Sequence, residues 1–149
     1  MFGLAVLACG GKTQWPGDPE LFGMAVVDES AAHVTQSPDF RTNYRAAVTK
    51  SLGYMGMGEA EVEGIRVVFT DHVECGGVES AGCWRPDDNT ILIDVQQADC
   101  LESGVLSHEL LHVFLDGDPE HTNWRWSPEW WDPLYDALLD GSSWCQHGF

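Results

Sequence analysis

The residues best placed to do chemistry are those of the run His108-Glu109-Leu110-Leu111-His112. Side chains four positions apart on a helix lie one turn apart on the same face, so both imidazoles can reach a single cation. Zinc is the natural occupant of such a pair, and a catalytic zinc takes three protein ligands and keeps a fourth position for water. A carboxylate next to the first histidine can stand beside that water as its general base. Each polar residue of the run therefore has a use in a hydrolytic step.

The spacing leaves the third ligand open. His121 is the next histidine, and the stretch from Leu115 to His121 could span about 20 Å if extended, enough to fold back to the pair. His121 is preferred, with Asp118 as the alternative and Glu129, at the start of the next helical segment, as a further candidate. Asp116 lies one more turn along the His108 and His112 face, where it either orients a ligand or ends the helix in solvent. Trp124, Trp126, Trp130 and Trp131 either floor the site and line a cleft or belong to the core. Tyr135 and His147 are the downstream candidates for an oxyanion donor, and His33 and His72 read as ordinary polar residues.

Positioning these groups requires a helix. Asp99 and Glu102 form a capping-box arrangement ahead of an apolar run, so a helix is expected from Cys100 to Gly117, with Pro119 just beyond. Upstream, Met24 to Asp28, Ile65 to Thr70 and Thr90 to Val95 have the β-branched content of strands. Ser37 and Pro38 open a backing helix that buries Phe40, Tyr44, Ala47, Val48 and Leu52 and ends at Gly53. Asp132-Pro133 opens a short last helix through Leu134, Tyr135, Leu138 and Leu139.

The H-E-L-L-H run resembles the H-E-x-x-H signature of the zincin metallopeptidases. The resemblance covers roughly Thr90 to His121, since zincins place an edge strand beside the peptide shortly before the motif helix, and Thr90 to Val95 would fill that role. It implies an α+β, zincin-like single domain with a short mixed β-sheet, a backing helix and an H-E-x-x-H active-site helix. It further implies Zn2+ as cofactor, a peptide or protein as substrate, His108 and His112 as metal ligands and Glu109 as catalytic base. The chain departs from the metzincin spacing, with Leu115 and Asp118 where that subfamily has a glycine and its third histidine, and no methionine follows Met57. A non-catalytic binding or scaffold domain that keeps a zincin-like metal site is the alternative.

Acidic residues outnumber basic ones 24 to 7, for a net charge of −17, so nucleic acid is not an expected partner. Met1 to Ala8 is apolar and runs into Cys9, and this stretch resembles the end of a bacterial lipoprotein signal peptide. That resemblance implies export to the periplasm or cell envelope, with attachment through a lipidated Cys9 and, from Gly10, the outer membrane. Residues 1–20 are then signal remnant and tether, and 21–149 the folded domain, expected as a monomer. Four further cysteines suit an exported domain; Cys75 with Cys83 and Cys100 with Cys145 are the favoured pairs.

Overall fold

Three β-branched runs make the centre of the sheet. In the computed structural model, which describes residues 14–98 and 104–139, they are β2 (Ala25–Asp28), β3 (Arg66–Thr70) and β7 (Thr90–Asp94). They pair in parallel, with Val26, Val67 and Ile91 in one register row and Val27, Val68 and Leu92 in the next. Edges are supplied by β1 (Gln14–Trp15), antiparallel to β2, and β6 (Gly82–Arg85), antiparallel to β7, giving the order β1-β2-β3-β7-β6. A small hairpin, β4 (Glu74–Cys75) and β5 (Val78–Glu79), stands apart. The result is the expected mixed α+β domain with a short sheet.

Two expectations about the sheet change. Thr90 to Val95 is an interior strand, and the edge belongs to β6, whose Gly-Cys-Trp-Arg sequence carries little strand signal. The stretch read as tether also contributes structure, because β1 pairs with β2 ahead of Leu21. Trp15 packs on Phe40 with ring centroids 5.7 Å apart, and the Arg41 guanidinium lies over the indole while bonding Asp18 and Glu20 at 2.6 and 2.8 Å.

Parallel neighbours need a crossover, and α1 (Phe40–Met55) lies in the one between β2 and β3. The periodic residues Phe40, Tyr44, Ala47, Val48 and Leu52 are buried as expected, against Val26, Val67, Phe69, Ile91 and Ile93 of the sheet. The helix is shifted, however, beginning after Asp39 rather than Ser37 and running through Gly53 to Gly56. Ser37 closes the preceding 3-10 turn instead, and Gly56 is the residue with the left-handed backbone, φ 71°, that ends a helix.

The motif helix α2 (Val105–Phe114) packs on α1 and on the sheet through Leu106, Leu110 and Leu111. It is shorter than expected, with Gly104 at its N-cap, φ 80°. Its rotation is fixed by a buried pair: Ser51 Oγ donates to the Ala47 carbonyl, which leaves Ser107 Oγ to donate to Ser51 Oγ at 2.6 Å. Asp99, Cys100 and Glu102, with the expected cap and the Cys100–Cys145 bridge, lie outside the described residues, as do Cys9 and His147. The last helix, α3 (Pro128–Leu139), opens one turn earlier than expected. Pro128 supplies the start, and Pro133 sits inside the helix. Leu134 and Leu138 are buried in the common core.

The exit from β2 depends on Asp28, a buried carboxylate that accepts from the backbone N–H and hydroxyl of both Ser30 and Thr35 at 2.6 to 2.9 Å. Burial alone would raise its pKa, but these donors outweigh burial and hold it below the ordinary value of 3.8. Its stabilisation is therefore present above that value and is lost as pH falls through the lower folded one. Asp28→Ala should cost about 3 kcal/mol in urea unfolding at neutral pH, because buried donors lose their acceptor. The advantage of wild type over Asp28→Asn should shrink as pH drops below about 4; a pH-independent gap would contradict this account.

Candidate metal centre

Along α2, Leu106, Ser107, Leu110 and Leu111 occupy the buried side, which turns His108 and His112 toward the opposite face and sets Glu109 on the flank nearest β6. The two imidazoles lie with centroids 4.9 Å apart. His121 returns from the loop after the helix, 4.9 Å from the His108 ring and 5.0 Å from that of His112. One ring nitrogen from each of the three lies within 4.8 Å of the others, and Nε2 of His121 faces Nε2 of His112 at 3.2 Å. Nitrogens bound tetrahedrally to zinc at about 2.05 Å stand about 3.3 Å apart. The His112–His121 pair stands at that spacing, and the three histidines together could coordinate one metal ion.

The chain reversal that brings His121 back begins at Gly117, whose φ of 116° few L side chains adopt. Its N–H reaches the His112 carbonyl at 2.8 Å, and its own carbonyl lies 2.6 Å from His112 Nδ1. A carbonyl only accepts, so Nδ1 carries the proton and the Nε2 lone pair of neutral His112 is left for a ligand. The orienting partner of His112 is thus a backbone carbonyl, whereas Asp116 is an exposed residue with left-handed φ 54° at the helix end.

Asp118 does not join the histidines. One of its oxygens accepts from the Thr122 N–H and hydroxyl, at 3.1 and 2.6 Å, and the other from the Asn123 N–H and the Trp126 indole N–H, at 2.8 and 2.7 Å. The Thr122 hydroxyl leads these donors in holding its pKa well below the usual carboxylate range. Glu129 is exposed in the first turn of α3, where its own backbone N–H and the Ser127 hydroxyl lower its pKa. Tyr135 lies against Gly104, with ring carbons 3.4 and 3.5 Å from where a Cβ would stand. Of the described tryptophans, Trp126 is the one in contact with all three imidazoles, at centroid distances of 4.7, 4.6 and 4.2 Å from His108, His112 and His121. Trp124 is 63% exposed and is no part of a floor.

Burial shapes the electrostatics. It brings His108 down to about 4, helped by the positive potential of His112 and His121 when charged, and it also lowers His112. Both imidazoles are accordingly neutral near pH 7, the state in which histidine ligates. Glu109 is 4% exposed, and burial pushes its carboxyl up to about 7 against a hydrogen bond from the Trp84 backbone N–H.

A cleft of about 490 Å3 opens between β6 and the His121 loop, bordered by Gly76, Trp84, Pro86 and Pro119. An adjoining hollow of about 300 Å3 reaches past His108 and Glu109 to Val105 and Trp131. Cys75 is bonded to Cys83, as expected, and ties β4 to the edge strand at the cleft wall. His72, Glu79 and Asp94 make a second potential donor group, but the Asp94 carboxylate already accepts from the backbone of Gln96 and Gln97 and from the Gln97 side chain. Those bonds serve the turn that follows β7.

Gly82 and Trp84 carry no sequence signal that marks them for this site, whereas Trp126 is one of the four tryptophans considered for a floor or cleft wall. Gly82 matters because a Cβ there would stand 2.7 Å from both Glu109 Oε1 and Val105 Cγ1. Gly82→Ala should therefore destabilise the fold by about 1–3 kcal/mol in urea unfolding, and unchanged stability would contradict the close approach of β6 to α2. Comparison with known proteins finds no matching family model, no matching curated protein and no matching solved structure, so the reading of this centre rests on its residues and their geometry.

Proposed function

We propose that the protein is a zinc-dependent peptidase of the zincin type, with His108, His112 and His121 as metal ligands and Glu109 as general base. The observation that carries this reading is the return of His121 to the pair on α2, with a buried carboxylate beside them. Held by these three histidines, a zinc ion would supply Lewis acidity toward a carbonyl and toward water. Glu109 takes the proton from the attacking water and passes it to the leaving amine. Its burial raises its proton affinity above that of an exposed carboxyl, which favours its taking the proton from water. The cleft between β6 and the His121 loop receives the peptide. The Cys75–Cys83 bridge suits an oxidising compartment, in keeping with an exported enzyme. No described helix is long and apolar enough to cross a membrane.

Purified protein should carry zinc near one equivalent by elemental analysis, and His108→Ala and His112→Ala should each lose it. Glu109→Gln should keep the metal while cleavage of a mixed peptide library falls by roughly 10²–10⁴-fold. Absence of zinc in the wild type would sink the reading. Equal cleavage by wild type and Glu109→Gln, or none by either, would instead favour a metal-bearing binding domain.

A further inference from the structure

The segment that delivers His121 is held in an unfavourable backbone conformation. Asp116, Gly117, Asp118 and His121 all have positive φ, at 54°, 116°, 47° and 54°, and three of them are not glycine. Such residues persist where the surroundings over-determine them. Here the two bonds between His112 and Gly117 hold the first part of the segment, and a single carboxylate holds the rest. Asp118 gathers four donors from Thr122, Asn123 and Trp126, which closes residues 118–126 into a compact loop with His121 inside it. The His121 N–H returns to the Asp118 carbonyl at 3.0 Å and completes the turn.

The fourth of those donors does more than close a loop. The Trp126 indole N–H, held by Asp118 Oδ2 at 2.7 Å, fixes the ring against all three imidazoles, nearest to His121 at 4.2 Å between centroids and 38° between planes. An exposed histidine on a loop would otherwise sample several rotamers, and each must be given up on binding an ion.

We propose that Asp118 and Trp126 are a positioning pair for the metal centre: the carboxylate folds the His121 loop and orients the indole, and the indole restrains the three imidazoles in the arrangement one ion requires. Neither residue touches the ion or the substrate. The inference rests on the reading of the three histidines as ligands. It adds that the third ligand is preorganised from behind, so the loss of either residue weakens binding while all three ligands stay in place.

Titration of the chelator-treated full chain with Co2+, followed by visible absorption and tryptophan fluorescence, tests this. Wild type should bind a single equivalent with the intense d–d bands of a four-coordinate site. Trp126→Phe and Asp118→Asn should each raise the dissociation constant roughly 10- to 100-fold and alter the d–d envelope. Thr122→Val removes one donor to Asp118 and should give a smaller loss, about threefold. Circular dichroism and thermal unfolding of the metal-free variants identify any that fail to fold; should Asp118→Asn be among them, Trp126→Phe and Thr122→Val carry the test. A folded Trp126→Phe with wild-type spectrum and affinity within about twofold would overturn the positioning role and leave the metal reading intact. A wild type that binds no Co2+ would overturn both.

Discussion

His112 and Gly117 are joined twice, and the site depends on that double link. The glycine N–H bonds the histidine carbonyl, and the histidine Nδ1–H bonds the glycine carbonyl. The first bond turns the chain off the end of α2, and the second fixes which imidazole nitrogen is free. Had the helix continued at about 1.5 Å per residue, nine more residues would have carried position 121 about 13 Å away along the axis. Instead His121 faces His112. Chain reversal and ligand tautomer are therefore set by the same two residues, and a side chain at 117 would disturb both.

The rest of the fold gives that link a fixed platform. α2 is set between α1 and the edge strand, its rotation held by Ser107 on Ser51 and its distance from β6 held by the missing side chain of Gly82. The burial that follows acts in opposite senses on the two kinds of group: it lowers the proton affinity of His108 and raises that of Glu109. A cation among the three histidines would favour the charged carboxylate beside it and so offset part of the cost of burying Glu109.

The sequence shows these features unevenly. His108, Glu109 and His112 are legible because a helix converts a spacing of four into a shared face, and the central strands are legible because parallel strands buried on both faces are apolar throughout. His121 could be favoured over Asp118 as a residue type, but its approach depends on a left-handed segment that no periodicity reports. The edge strand was hidden for a related reason: Gly82-Cys83-Trp84-Arg85 owes its place to pairing with β7 and to the bond with Cys75, not to its own propensity. The start of α1 shows local capping signals losing to context. Ser37 and Pro38 match a helix start, yet the 3-10 turn from Val34 to Gln36 claims Ser37 and delays the helix to Phe40. Trp126 stood among several tryptophans with equal claims, and only the position of the Asp118 carboxylate distinguishes it.

In the proposed function, three imidazoles from this chain, one of them returned by the loop after α2, share a single zinc ion. X-ray absorption at the zinc edge of the metal-loaded protein tests it most directly. The expected first shell is three imidazole nitrogens and one oxygen, all at about 2.0–2.2 Å. A first shell with two imidazoles, or with sulfur or extra carboxylate oxygens in place of the third, would contradict it.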